Sequence, residues 1–203
     1  MAFTDFKSVD QVQEEYGISY KETMFIQNKN FEPSELLSEE FEFNRENIDV
    51  TISEESRCEH LIIPILREIY KHHFREYAFW SHKFIHIDDK LRGTPDYMFS
   101  SRSKLGKTVL EMPLILVVEA KKNDFCLGWG QCLAELVAAQ KLNNDNEKSV
   151  YGVVTDGEIW QFGNLTDKIF TKETLKLSDL SEILGTLDYI LEKAKENFAL
   201  QTA

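Results

Sequence analysis

Residues 114–122 read Leu-Ile-Leu-Val-Val-Glu-Ala-Lys-Lys: five apolar positions, then an acid, a small residue and two bases. Side chains alternate along an extended chain, so Glu119 and Lys121 share one face while Ala120 takes the other. Upstream, Thr94-Pro95-Asp96 opens a second short run with strand character at 97–100. If the two runs are neighbouring strands, Asp96 lies beside Glu119, and two adjacent carboxylates repel unless a cation separates them. Hard oxygen donors of this kind suit Mg²⁺ or Mn²⁺, ions that keep several waters in their sites. Lys121 beside such an ion would orient or help to deprotonate a water and stabilise charge developing on a phosphate. Plainer roles compete: Glu119 and Lys121 as a solvated strand end, and Asp96 as the cap of the turn at 93–95.

Pro95-Asp96 and, 23 positions after the aspartate, Glu119-Ala120-Lys121 resemble the PD-(D/E)XK motif. That nuclease superfamily includes many restriction endonucleases, phage exonucleases and DNA-repair nucleases. The resemblance implies that Asp96 and Glu119 bind a metal ion and that Lys121 assists the attacking water. It implies a further metal-binding glutamate on the first helix, for which Glu59 is the leading candidate, with Glu55 and Glu68 as alternatives. It also implies a glutamine on the helix after the third strand, where Gln131 stands. Four residues on, some members carry tyrosine and this chain has Glu135, a departure that touches nucleic-acid contact rather than the metal pair. The stretch 151–162, Tyr-Gly-Val-Val-Thr-Asp-Gly-Glu-Ile-Trp-Gln-Phe, is similar to the segment after the nuclease core in the N-terminal region of type I restriction enzyme R subunits. The resemblance covers roughly residues 54–163.

The function so implied is hydrolysis of phosphodiester bonds by an Mg²⁺- or Mn²⁺-dependent endonuclease, on DNA before RNA. Its partners would be nucleic acid together with either a second copy of the chain or a separate recognition subunit, and no membrane. Arg102, Lys104 and Lys107, in a polar loop, and Lys122, after the motif, are the candidates to follow a phosphate backbone. A solvated loop explains the first three equally well. The alternative is a catalytically inactive module of the same fold that binds nucleic acid or a protein. Trp129 reads as a base-stacking residue or, more simply, a core aromatic at a helix start. His82 and His86 stand in an extended stretch, where a spacing of four makes no helical metal pair. No phosphate-binding glycine loop, nucleophile elbow or HExxH pair occurs.

These residues need a frame to hold them. Helical spacing of Cys58, Leu61, Ile62, Ile65, Leu66 and Ile69 predicts a helix over 54–73, with Pro64 as a kink. Strands follow at 84–88, 97–100 and 114–121, the last apolar enough to be central. A helix is expected over 129–142, a strand over 149–155, and a return strand at 158–162 through the two-residue hairpin signal Asp156-Gly157. A last helix spans 178–198, and Ser8-Val9-Asp10-Gln11 has the form of a capping box opening a short first helix. The fold class expected is α/β: a restriction-endonuclease-like core, with a central mixed β-sheet flanked by helices on both faces. Residues 1–50 are expected to be an acidic, partly helical N-terminal extension, and 51–203 the nuclease-like domain with its C-terminal helix.

Charge and composition bound the reading. The formal net charge is -12, which disfavours binding of nucleic acid over the whole surface. Residues 61–125, which hold the motif, carry 8 acids and 11 bases, the one net-positive third of the chain. Three cysteines without CxxC spacing read as reduced thiols. With no apolar run near membrane-spanning length and no signal-peptide pattern, the expected location is cytoplasmic.

Overall fold

A computed structural model describes residues 2–27, 31–122 and 124–199. Residues 28–30 of the expected extension and 200–203 of the expected domain lie outside the described residues. After a single 3-10 turn at Phe3–Asp5, the chain forms α1 (Val9–Tyr16), β1 (Ser19–Glu22) and α2 (Glu35–Asn47). A continuous helical stretch follows: α3 (Glu54–Arg57), a π-helical turn at Cys58–Ile62, and α4 (Ile63–His73). Then come β2 (Tyr77–Ser81), β3 (Ile85–His86), β4 (Arg92–Gly93), β5 (Tyr97–Ser101) and β6 (Glu111–Ala120). The chain closes with α5 (Phe125–Asn143), β7 (Val150–Thr155), β8 (Trp160–Thr166), β9 (Ile169–Leu177) and α6 (Leu180–Phe198).

Seven strands form one mixed sheet in the order β1-β9-β8-β7-β6-β5-β2. The pairs β1–β9 and β6–β7 are parallel, and the other pairs in the sheet are antiparallel. The parallel β6–β7 step is bridged by α5, the long crossover that parallel neighbours require. One face of the sheet packs against α4 and α6, where Ile65, Leu66, Ile69, Leu184, Leu187 and Leu191 meet Leu116, Val118, Val153 and Phe162. The other face packs against α5, where Trp129, Cys132 and Leu136 meet Val117, Val154 and Phe170. The α/β class, the mixed sheet and the helices on both faces are as the sequence indicates.

Helix α5 is buried along residues 128–140, and its far side must therefore be covered too. The first residues of the chain cover it: Phe3, Phe6 and Val12 belong to the same apolar cluster. A Cβ added at Gly130 would stand 2.5 Å from the Ser8 amide nitrogen, so the backbone of α5 and the start of the chain touch. The expected N-terminal extension thus supplies core side chains and, through β1, an edge strand of the sheet.

Several local expectations change. The strand expected at 84–88 shortens to Ile85–His86, because Asp88 Oδ1 accepts the amides of Lys90 and Leu91 and turns the chain back into β4. Gly93, expected in a turn, pairs with Ile85 in that ribbon. The reversal after β7 is wider than a two-residue hairpin: Thr155 pairs with Trp160, and Asp156 Oδ1 accepts the amides of Glu158 and Ile159. Pro64 falls in the first turn of α4, directly after the π turn, where the change of hydrogen-bond pattern absorbs its missing amide. Trp129 is a core residue; its Nε1 donates to Gln161 Oε1 at 2.9 Å.

Candidate active site

The register of two strands builds the centre of the site. Tyr97 of β5 pairs with Val118 of the antiparallel β6, which sets Asp96, one residue earlier, beside Glu119. Asp96 Oδ2 accepts the Ala120 amide at 2.8 Å, so a side chain continues the ladder where strand pairing stops. On the other side of β6, the Lys121 amide donates to Thr155 of β7 at 2.9 Å. The backbone that carries the three motif residues is therefore held by both neighbours.

Glu119 and Lys121 share a face, as alternation requires. Lys121 Nζ lies 2.8 Å from Glu119 Oε1 and donates at 2.9 Å to the Ala120 carbonyl. It also lies 3.9 Å from Glu54 Oε1 at the start of α3. The stem of Lys121 runs over Gly128 in the first turn of α5, where an added Cβ would come within 3.0 Å of Lys121 Cγ and 2.6 Å of Val154 Cγ1. Helix and strand end can approach this closely because residue 128 has no side chain.

Below this pair, α5 presents a third carboxyl. Glu135 is 2% exposed, is hydrogen-bonded to Glu119, and its Oε2 finds no donor among the described residues. Burial raises the Glu135 carboxyl well above the ordinary range, and the charges of Glu119 and Asp96 raise it further. Burial likewise lifts Glu119 to about 7, with Asp96 adding to the shift and Lys121 opposing it. Burial also raises Asp96, against the Ala120 amide and the charge of Lys121. Burial alone would lower Lys121, but Glu119, Glu54 and Asp96 outweigh it and hold the amine above the ordinary lysine range. One ammonium thus stands among four carboxyl groups, of which Glu119 and Glu135 are buried and Asp96 and Glu54 are partly exposed.

A cavity of about 420 Å³ opens onto Asp96. The helical stretch contributes Glu54, Glu55, Cys58 and Glu59, and the sheet side contributes Ser81, His82 and Tyr97. His82 has φ 51°, its amide donates to the Asp96 carbonyl at 2.9 Å, and its Nε2 lies 3.7 Å from Asp96 Oδ1.

The expected site residues divide into two groups. Asp96, Glu119 and Lys121 come together, and Glu59 and Glu55 line the adjoining cavity as exposed residues. Gln131 is buried on α5, one turn before Glu135, and among the described residues it makes no hydrogen bond with the motif residues. Glu68 points elsewhere, accepting the Ser34 amide and pairing with Lys71. Lys122 is adjacent: its amide donates to Glu54 Oε2 and its Nζ to the Ile52 carbonyl. Arg102, Lys104 and Lys107 lie beyond the other end of β5, roughly 17 Å of strand away from Asp96. There Arg102 Nη1 is bound to the Phe74 carbonyl.

Sequence reasoning missed Glu54, Glu135 as a neighbour of Glu119, and His82. Glu54 had a signal, since Ser53 caps the helix and sets Glu54 one turn before Cys58 on the cavity side. Glu135 had one too, four residues after Gln131. His82 had none, because its place follows from a backbone turn. Among the described residues no group of three or more His, Cys, Asp or Glu side chains has the geometry to hold a metal ion by itself, and no helix is long and apolar enough to cross a membrane. Comparison of the sequence with protein-family models and with curated proteins finds no match.

Proposed function

We propose that this chain is a metal-dependent nuclease that hydrolyses phosphodiester bonds, with Asp96, Glu119 and Lys121 as its centre. The observation that carries the reading is the meeting of these three side chains at the joined ends of β5 and β6, beside a cavity lined with acids. The donor set fits a hard divalent cation. Asp96 and Glu119 are adjacent carboxyl groups, both raised by burial, and at Glu119 the charge of Asp96 raises it further while a single ammonium opposes the shift. Asp96 and Glu119 would hold Mg²⁺ or Mn²⁺, with water and phosphate oxygens completing the shell. When bound, such an ion supplies a more acidic water and neutralises charge on the phosphate.

The chain's own residues supply the rest. Lys121, ion-paired with Glu119, would donate hydrogen bonds to a water or a phosphate oxygen and oppose the growing negative charge. Glu54 fixes the ammonium from the helix side. The apolar body of β6 and the helix α5 keep bulk water from the back of the site. The preference for DNA over RNA rests on the resemblance of the motif alone.

A binding module without turnover is the second reading. One observation favours it: Lys121 already satisfies Glu119 by a direct ion pair, so the site has one compensating charge of its own. Cleavage of circular and linear DNA in Mg²⁺ and in Mn²⁺, by the wild type and by Asp96→Ala, separates the two. Metal-dependent cutting that the variant lacks supports the nuclease. Absence of cutting, with no rise in thermal stability on adding Mn²⁺, supports the module.

A further inference from the structure

We infer that the segment running from the end of β2 through β3, residues 82–86, is a binding wall for an unpaired nucleic-acid strand, with Phe84 as the platform on which a base stacks. The inference rests on the nuclease reading for what happens next to the strand, and on its own geometry for the binding. Residues 77–87 contain no Asp or Glu in a chain with 35 of them. Of this stretch Ser81 and His82 line the cavity, and they add no carboxylate to a lining that includes Glu54, Glu55, Glu59 and Asp96.

Its position is fixed by the site itself. The His82 amide is bound to the Asp96 carbonyl, and the positive φ of His82 turns the chain outward directly after β2. A histidine in this backbone region is uncommon and is held here by that bond and by an edge contact of its ring on Tyr97, with centroids 5.8 Å apart. The side chains that follow alternate in type. Lys83 sets its ammonium 5.3 Å from the centre of the Trp80 ring. Phe84 is 58% exposed and lies near-parallel to His86, at 21° between planes and 6.4 Å between centroids.

A lone exposed phenylalanine means little. This one stands in an acid-free stretch, two residues from a side chain that lines the cavity beside Asp96. Its partner His86 supports the ring from one side. A ring held so presents a flat face to a base, and stacking of that kind needs a base that is not already stacked within a duplex. The basic loop that could follow a duplex backbone lies at the far end of β5. Near Asp96 the cations are few: Lys121 is taken up by Glu119, and Lys122 by the Ile52 carbonyl. Stacking rather than many phosphate contacts therefore supplies the affinity, and the favoured substrate is a single strand or a frayed end.

The test is binding and cutting measured side by side. Fluorescence anisotropy with a labelled 12-nucleotide single strand and with a hairpin duplex of the same length would be run in Ca²⁺, and cleavage of the same probes in Mg²⁺. The proteins are wild type, Phe84→Ala, Phe84→Tyr and Asp96→Ala. The expected result is tighter binding of the single strand. Phe84→Ala should weaken it roughly 5- to 150-fold, with little change for the duplex, and Phe84→Tyr should keep near-wild-type affinity. If Phe84→Ala binds the single strand as wild type does, or if both probes weaken equally, the inference is overturned, while the nuclease reading still stands on the loss of cutting in Asp96→Ala. If no protein cuts but the Phe84 pattern holds, the wall stands and the nuclease reading falls.

Discussion

The Lys121 ammonium stands 2.8 Å from Glu119 Oε1, and both side chains leave the same strand end on the same face. This ion pair is what the spacing of two residues in an extended chain produces. It leaves Glu119, Glu135 and Asp96 sharing the compensation of one positive charge.

The shared charge gives the fold a pH dependence of definite sign. A carboxyl whose folded pKa is raised opposes folding once it ionises. The stability permitted by Glu119 is therefore fully present below the ordinary carboxylate value of 4.5 and is lost as pH rises through about 7. Without metal, the thermal midpoint should fall between pH 5 and pH 8. Glu119→Gln or Glu135→Gln should flatten that fall, since either removes a buried charge while keeping the shape. Thermal melts across this pH range check it; a flat wild-type profile contradicts it.

The two glycines of the first turns of α5 should respond differently to alanine. Ala is the better helix former by about 1 kcal/mol, but an overpacked core loses about 1–3 kcal/mol. At Gly130 the obstacle is the Ser8 backbone at 2.5 Å, so Gly130→Ala should lower stability and leave cleavage per folded molecule unchanged. At Gly128 the obstacles are Val154 and Lys121, so Gly128→Ala should lower both stability and the cleavage rate. Urea unfolding and a cleavage assay on the two variants separate the effects.

Glu173 ties the segment after β1 to β9. Its Oε2 accepts the amides of Phe25 and Ile26, and its Oε1 those of Thr174 and Leu175. Burial would raise this carboxyl, but the amides of Phe25, Ile26 and Leu175 outweigh it and hold it below the ordinary value. Its contribution is thus present above pH 4.5 and lost as pH falls through the lowered value. Glu173→Ala should destabilise by about 2 kcal/mol at pH 7, by leaving amides without a partner. The difference from wild type should shrink in acid. A loss equal at pH 7 and in acid would contradict this role.

The parts of this fold legible in the sequence were those with one strong local pattern. The unbroken apolar run before Glu119 marked a buried strand, and the 3.6-residue spacing marked the helices that became α4, α5 and α6. The β1 strand was not legible, since Ser-Tyr-Lys-Glu is polar and all four residues are exposed at the sheet edge. The β9 strand mixes Thr, Lys and Glu with its apolar residues, because its burial pattern breaks partway along. Alternation places Asp96 beside Glu119 once the runs at 97–100 and 114–121 are neighbouring strands, as β5 and β6 are. That Glu54 reaches Lys121 depends on how a helix residue 67 positions upstream lies across the sheet, and no local pattern encodes that.

The central claim is that Lys121 serves a phosphodiester-cleaving site, and its most direct test is single-turnover cleavage of a labelled DNA strand in Mg²⁺ by wild type and Lys121→Met, both shown to be folded. Loss of the ammonium should slow cleavage by about 100-fold or more, with Mn²⁺ binding retained by the variant. Equal cleavage by the two proteins, or no metal-dependent cleavage by wild type, would contradict it.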